Sequence, residues 1–245
     1  MKAMVFAAGY GQRLRPATEK IPKALVPVWG RPMIEYPLRL LREAGITEVI
    51  INLHHLGEMI ERELGNGDKL NIRIQYLREE TLLDTGGGLL RARPLFNEET
   101  FIVINSDVMI DLRLNELIDF HQQHKAAATL VLRTDAKVDE YGAIETAADG
   151  RIHTFLGKRA SRTSKTPLTR VMFTGVQVLE PRIFDYMEGH DPFSITKVTY
   201  PKMLLGGELL YGYHFRGFWQ DLGTPKRIKE AETKLKSGAV KLHYL

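Results

Sequence analysis

Val5-Phe6-Ala7-Ala8-Gly9-Tyr10-Gly11-Gln12-Arg13-Leu14-Arg15-Pro16 runs from a short apolar strand into a glycine turn, then into two arginines and a proline. Glycines at 9 and 11 let the backbone turn tightly and aim N–H groups at an anion. A dinucleotide loop of the Rossmann type needs G-x-G-x-x-G opening a helix. Here Leu14 holds the place of the third glycine, and Arg15-Pro16 oppose a helix start. The G-x-x-x-x-G-K-[ST] of a P-loop is absent as well. Arginines after a glycine turn suit a flexible triphosphate, because the guanidinium fork binds phosphate oxygens in pairs. Pro22-Lys23 follows with a point charge for the same phosphates.

Outward from this stretch, strand-like and helix-like segments alternate. Ile34, Leu38 and Leu41 recur at helical spacing before Gly45; Glu48–Leu53 reads as a buried strand and Glu58–Leu64 as a short helix ending at Gly65. Ile72, Ile74 and Tyr76 alternate as a strand with one buried face. Phe101–Asn105 and Thr129–Arg133 are short apolar strands around an amphipathic helix, Leu114–His124. Such alternation predicts an α/β protein with a mostly parallel central sheet. Pro37 falls inside the helical pattern, where it should cost a hydrogen bond and cause a kink.

The second half differs. Gly142–Thr146 and Arg151–Phe155 flank Asp149-Gly150, a hairpin signal. Lys158–Thr169 is polar, basic and rich in Ser and Thr, and reads as a mobile loop. Val171–Leu179 and Leu209–Phe215 return as strands, with short helices near 182–188 and 196–205. Pro225 opens a final helix with Ile228, Ala231 and Leu235 on one face. The expectation is one domain over 1–245, with a nucleotide half at 1–137 and a smaller second half at 138–245.

The 245 residues are 44% hydrophobic and 26% charged with no cysteine, which excludes disulfides and thiolate metal sites. A formal charge of +4 spread along the chain argues against a nucleic-acid arm. No apolar run approaches the roughly 20 residues of a membrane helix, and the N-terminal one is too short for a signal peptide. A cytoplasmic protein without nucleic-acid or membrane partners is expected, and a homo-oligomer is left open.

G-x-G-x-R-L-x-P (Gly9–Pro16), then P-K-A-L-V-P-V (Pro22–Val28), then G-x-P-M-I (Gly30–Ile34) resembles the sugar nucleotidyltransferases from Met1 to about Leu235. These include glucose-1-phosphate thymidylyltransferases, mannose-1-phosphate and heptose-1-phosphate guanylyltransferases, and N-acetylmuramate-1-phosphate uridylyltransferases. The resemblance implies a three-layer α/β/α, GT-A-like (Rossmann-like) fold with a mixed, mostly parallel sheet. It also implies Mg²⁺-dependent transfer of a nucleotide from a triphosphate, UTP or GTP favoured, onto a sugar 1-phosphate. Ala7, Ala8, Gly9, Gly11, Gln12, Arg13 and Lys23 would hold the nucleotide, with Arg13, Lys23 and Asp107 acting on the reacting phosphates. With the sequence stopping soon after the final helix, no C-terminal β-helix or acyltransferase domain of the bifunctional type is expected.

Further motifs fall in place. Leu83-Asp84-Thr85-Gly86-Gly87-Gly88 resembles the loop that reads the base through backbone groups, its helix start offering free N–H donors from Asp84, Thr85, Gly86 and Gly87. Asn105-Ser106-Asp107 ends an apolar strand, where ligands gather in an open α/β sheet. A lone Asp there would more simply cap a helix; beside a phosphate loop Asp107 reads as a Mg²⁺ ligand and Asn105 as a nucleotide contact. Trp219-Gln220-Asp221-Leu222-Gly223-Thr224 resembles W-x-D-x-G-T, whose Asp221 is the second metal carboxylate, although it could also cap the helix that Pro225 opens. Mg²⁺ is typically held by one or two carboxylates plus substrate phosphates.

On the sugar side the resemblance points to Gly142 of Tyr141-Gly142, to Thr174 and Gly175 of Phe173-Thr174-Gly175, and to Lys158. Relatives carry E-K-P where this chain has Gly157-Lys158-Arg159. Adjacent His54 and His55 cannot easily share one metal ion, and read as structural or substrate-adjacent. Two rival functions stand beside nucleotidyl transfer to a sugar. A choline-phosphate-type cytidylyltransferase would want an aromatic, acidic pocket where this chain has a basic segment. A non-catalytic regulatory paralogue would have no need of Asp107 and Asp221 together.

Overall fold

The computed structural model describes residues 1–136, 138–160, 164, 166–189 and 192–245. In chain order its strands are β1 (Lys2–Phe6), β2 (Pro27–Val28), β3 (Arg31–Pro32), β4 (Glu48–Leu53), β5 (Arg73–Arg78), β6 (Phe101–Asn105), β7 (Val108–Ile110), β8 (Ala128–Arg133), β9 (Ile144–Thr146), β10 (Ile152–Phe155), β11 (Lys158–Arg159), β12 (Thr169–Leu179), β13 (Leu210–His214) and β14 (Trp219–Asp221). Its α-helices are α1 (Glu35–Glu43), α2 (Gly57–Leu64), α3 (Asp84–Ala92), α4 (Leu114–His124), α5 (Val138–Tyr141), α6 (Tyr200–Leu205) and α7 (Pro225–Lys236). The chain gathers into two compact units interleaved in sequence: Met1–Leu82 with Ile104–Leu114 and Gly217–Leu245, and Leu83–Val103 with Asn115–Arg216. Each unit draws segments from both sides of residue 137.

The first unit holds a parallel sheet. β1 pairs with β4 (Ala3 opposite Val49) and β4 with β5 (Glu48 opposite Arg73). Parallel strands buried on both faces read as continuous apolar runs, and Ala3, Met4, Val5, Val49, Ile50 and Ile51 are buried accordingly. β2 and β3 form a hairpin whose two turn residues, Trp29 and Gly30, both have positive φ (47° and 77°), the signature of a twist-matched two-residue loop. β7 and β14 form a short antiparallel pair in which Asp221 faces Val108. The hydrogen-bond loss expected at Pro37 does not arise. α1 begins at Glu35, so Pro37 lies in the first turn, where an N–H has no intrahelical acceptor to lose.

The second unit is chiefly antiparallel. β9 and β10 make the expected hairpin: Gly150 has φ 84°, and the Arg151 N–H donates to Asp149 Oδ1 at 3.0 Å. β12 pairs through Thr169–Val171 with β9 and through Met172–Leu179 with β8, while β13 lies parallel to β8. The register of β12 against β8 shifts between Phe173 and Gln177, and Gly175 (φ 90°) falls inside that shift. Phe101 stacks on Phe96 and Phe184 with ring centroids 3.9 and 5.6 Å apart. The short helices expected near 182–188 and 196–205 are a 3-10 helix over Pro181–Tyr186 and a π-turn over Ile195–Thr199 leading into α6. Of the segment expected to be a loop, Lys158–Arg159 is strand β11 and Thr169 opens β12; Arg162 and Lys165 lie outside the described residues. Parallel and antiparallel strands alternating with helices make the mixed α/β fold expected of the sequence.

Candidate active site

β1 ends at Phe6, and the glycine turn follows. The Ala7 N–H donates to Asn52 Oδ1 (2.9 Å) at the end of β4, and Asn52 Nδ2 donates to Glu79 Oε1 (2.7 Å) just past β5. The three parallel strands therefore brace the turn through one buried amide. Gly11 sits at φ 65°, and a Cβ there would come within 2.9 Å of both Lys23 Cβ and Thr18 Cγ2. Gly9 faces open space, so a ligand can approach its backbone. Gln12–Leu14 close a single 3-10 turn and no helix follows, in keeping with Arg15-Pro16. Gln12 and Arg13 are exposed, whereas Ala7 and Ala8 are buried beneath the turn.

His54 and His55, read from the sequence as structural or substrate-adjacent, also brace this turn. His54 pairs with the Tyr10 hydroxyl (Nε2, 3.0 Å) and the Glu79 carbonyl (Nδ1, 3.0 Å); His55 Nε2 lies 3.0 Å from the Thr18 carbonyl. Thr18 in turn donates its hydroxyl to the Gly11 carbonyl at 2.9 Å. No cluster of three or more His, Cys, Asp or Glu is placed to hold a metal among the described residues.

The two acids reach the same unit from different segments. The Ser106 N–H donates to the Phe6 carbonyl at 3.2 Å, which sets Asn105-Ser106-Asp107 beside the end of β1. Lys23 Nζ is hydrogen-bonded to Asp107 Oδ2. Asp107 cannot be a helix cap, because β7 and not a helix follows it. The Leu222 N–H donates to the Asp107 carbonyl at 2.8 Å and brings the W-x-D-x-G-T segment alongside. Asp221 is not the cap of α7 either. Thr224 is, accepting the Arg227 N–H at 3.4 Å. Asp221 instead accepts the Gly223 N–H on Oδ1 (2.5 Å) and Arg227 Nη1 on Oδ2 (2.9 Å). The Arg13 guanidinium lies against Gly223 and leaves no room there for a Cβ. Arg227 went unnoticed in the sequence; its place six residues after Asp221, in the first turn of α7, was the available signal.

The second unit carries the other expected site residues. α3 starts at Asp84, a non-glycine residue at φ 59°, whose carboxylate accepts the Thr85 N–H at 2.6 Å. The free N–H donors expected of this helix start are not free. Gly86 and Gly87 both donate to the Phe193 carbonyl (2.8 and 3.3 Å), Ile195 donates to Thr85 Oγ1 (3.0 Å), and the Phe193 ring fills the space a Cβ at Gly86 would need. The consecutive glycines admit a neighbouring segment of the chain at close range. Phe193, over a hundred residues away, gave no sequence signal.

Gly142 has φ 91° and is covered by Leu156, whose own φ of 47° is unusual for a bulky side chain. Leu156-Gly157 is the two-residue turn joining β10 to β11, with Phe155 opposite Lys158. That turn explains the lost acid: position 157 (φ 79°) requires a left-handed conformation that glycine adopts freely. Lys158 is exposed. The Thr174 hydroxyl, expected to face a sugar, is buried and donates to the Val131 carbonyl at 2.8 Å. It ties β12 to β8.

A family model described as nucleotidyl transferase matches residues 2–238. A UTP–glucose-1-phosphate uridylyltransferase of Synechocystis sp. is 32% identical over 236 residues, covering 91% of this chain and 60% of that protein. The catalytic subunit beta of a mannose-1-phosphate guanylyltransferase from Danio rerio is 34% identical over 230 residues, covering 92% of this chain and 62% of that protein. The chain thus spans about 60% of the length of these curated relatives. The solved structure of a UDP-glucose pyrophosphorylase from Acinetobacter baumanii superposes with a TM-score of 0.78 at 23% identity, over 98% of this chain and 95% of that one, and shows the shared fold.

Proposed function

The chain belongs to the nucleotidyl transferase family, and from that premise we propose that it transfers a nucleotidyl group from a nucleoside triphosphate to a sugar 1-phosphate and releases pyrophosphate. The observation that carries this reading is the gathering, in one compact unit, of the glycine turn, Arg13, Lys23, Asp107 and Asp221 around the ends of β1 and β7–β14. The names of the relatives favour UTP or GTP as nucleotide donor and a hexose 1-phosphate as acceptor, over an alcohol phosphate.

Two hard carboxylates, with no group of three or more His, Cys, Asp or Glu placed for a metal among the described residues, suit Mg²⁺, which completes its shell with water and substrate phosphates. Asp107 and Asp221 would hold it; when bound, it supplies charge neutralisation at the α-phosphate and the leaving pyrophosphate. The chain's own part is positioning and electrostatics, which dominate phosphoryl transfer. The glycine turn presents N–H groups to the triphosphate, and Arg13 with Lys23 offers charge-assisted hydrogen bonds of roughly 1.5–3 kcal/mol each. The attacking sugar phosphate oxygen is already anionic at neutral pH, so no side chain need remove a proton. Asp84, Thr85, Gly86 and Gly87 stand for the base, approached through side chains and the remaining backbone atoms, since the N–H groups of Thr85, Gly86 and Gly87 are taken. Gly142, Lys158 and Gly175 stand for the sugar side, and Asn105 for the nucleotide ribose or phosphates. No helix among the described residues is long and apolar enough to cross a membrane. With triphosphates as substrates, the cytoplasm is the expected setting.

The test is pyrophosphate release over a matrix of nucleoside triphosphates and sugar 1-phosphates with Mg²⁺. One pair should stand well above the rest. Folded protein that releases none with any pair would refute the activity.

A further inference from the structure

The two carboxylates assigned to the metal are each occupied by a cation of the chain itself, and the two cations are of different kinds. Asp107 is paired with Lys23, the side chains being 20% and 15% exposed for Lys23 and Asp107 respectively. Asp221 is paired with Arg227 and also takes the Gly223 N–H, so both its oxygens are engaged. Lys23 stands in a single 3-10 turn, Lys23–Leu25, and a lysine ammonium is a compact point charge on a flexible stem. Arg227 sits in the first turn of a twelve-residue helix whose N-cap, Thr224, accepts its N–H. A guanidinium is a planar, pre-organised fork. One contact is built to let go and the other to hold.

The charge balance points the same way. Arg13, beside Gly223, adds a third positive group to Lys23 and Arg227, against Asp107 and Asp221: three positive and two negative groups, a net +1. A bare divalent cation arriving here meets net positive surroundings and two carboxylates already paired. A metal–triphosphate complex arrives net negative. It offers Lys23 phosphate oxygens in place of the Asp107 carboxylate it surrenders.

We propose that Lys23 is an exchange cation, which holds Asp107 in the empty site and leaves it for the triphosphate when the metal arrives, while Arg227 stays on Asp221 as its positioning residue. This rests on the nucleotidyl-transfer reading for the identity of the arriving anion. Metal and triphosphate then strengthen each other's binding through a single side chain, and linkage makes the coupling equal in both directions.

The experiment titrates Mn²⁺ into the full chain and follows the free ion by EPR, with and without an α,β-methylene triphosphate that cannot be cleaved. The analogue should tighten Mn²⁺ binding to the wild type by about tenfold or more, within the usual range of such couplings. Lys23→Met should tighten Mn²⁺ binding to the nucleotide-free protein by about tenfold while weakening the analogue by a similar factor. Asp107→Asn, added to Lys23→Met, should erase that gain. Arg227→Met should weaken Mn²⁺ binding whether or not the analogue is present. A lysine of merely structural use would weaken both ligands when removed, so the opposite signs are the signature. Unchanged or weaker Mn²⁺ binding in Lys23→Met overturns the exchange, and tighter binding in Arg227→Met overturns the positioning role. Thermal unfolding checks each variant, and Lys23→Gln takes the same measurement should the Met variant not fold. Wild-type protein that releases no pyrophosphate, yet tightens on Mn²⁺ when Lys23 is replaced, would refute the activity and leave the exchange standing.

Discussion

Gly86 shows how one hydrogen atom in place of a methyl can decide a contact. The Phe193 ring and its carbonyl both press on the α-carbon of Gly86, and the carbonyl accepts the N–H groups of Gly86 and Gly87. A Cβ would lie 2.8 Å from that carbonyl oxygen, which is backbone and cannot swing aside as a side-chain tip can. Gly86→Ala should therefore cost about 1–3 kcal/mol by overpacking, despite the gain in helix propensity. In a protein of this size that lowers Tm by several degrees, at about 2–4 °C per kcal/mol. Thermal unfolding of the variant measures it, and an unchanged or higher Tm would mean that Phe193 does not press on the glycine in solution. Leu156 over Gly142 is the reverse case. A side chain occupies the strained position, and a glycine beneath makes room for it.

At the scale of elements, the glycine turn is held by β4, three strands on from β1 in sequence and paired with it in the sheet. Asn52 ends β4 and joins the Ala7 N–H to the Glu79 carboxylate; it is 3% exposed. Truncating it leaves a buried N–H without an acceptor, at about 1–3 kcal/mol, and loosens the turn that presents Gly9 and Gly11. Asn52→Ala should therefore raise KM for the triphosphate as well as lower the denaturation midpoint, with KM for the acceptor nearly unmoved. A variant that loses stability while keeping both KM values would confine Asn52 to a structural part. The histidines carry the same lesson. Adjacent in sequence, just past β4 they hydrogen-bond different partners: His54 takes the Tyr10 hydroxyl within the turn, and His55 the carbonyl of Thr18, whose hydroxyl donates to Gly11.

At the scale of the whole molecule, pH acts through two imidazoles whose charged form folding disfavours: His121, buried, and His214, exposed at the end of β13 but partly desolvated. His121 of α4 is 1% exposed and pairs with Thr129 Oγ1 (2.8 Å) and Glu180 Oε1 (3.0 Å). Burial pushes its pKa below the ordinary 6.5, with Glu180 opposing in part. Partial desolvation, helped by Arg216, pushes His214 the same way. A histidine whose pKa is lowered by folding binds fewer protons in the native state than in the unfolded chain. Stability therefore falls as pH drops below about 6.5 and levels off once pH is below the folded value. Denaturation midpoints measured from pH 8 to pH 5 should decline below about 6.5, and His121→Gln should flatten part of that decline. A profile as steep in the variant as in the wild type would remove His121 as a cause.

What the sequence determined by itself lies within short windows. The turn at Gly9–Gly11, the hairpin at Asp149-Gly150, the strand ending at Asn105 and the helix opened by Pro225 are local matters, set by glycine, proline and the period of apolar residues over a few positions. Asp107 and Asp221 were singled out for the same reason, each marked by its own short motif. Tertiary structure decided everything that depends on which segments meet. That Lys23 sits on Asp107, 84 residues away, and that Phe193 closes over Gly86 cannot be read from either local pattern. Nor could the sequence tell Asp221 the metal ligand from Asp221 the helix cap, because both roles want the same residue at the same distance from Pro225. Packing excluded the cap by giving it to Thr224, and it paired the Asp221 carboxylate with Arg227. Local chemistry restricts what a residue is able to do; the partner it does it with comes from burying many apolar faces at once, a condition on the whole chain that no short window contains.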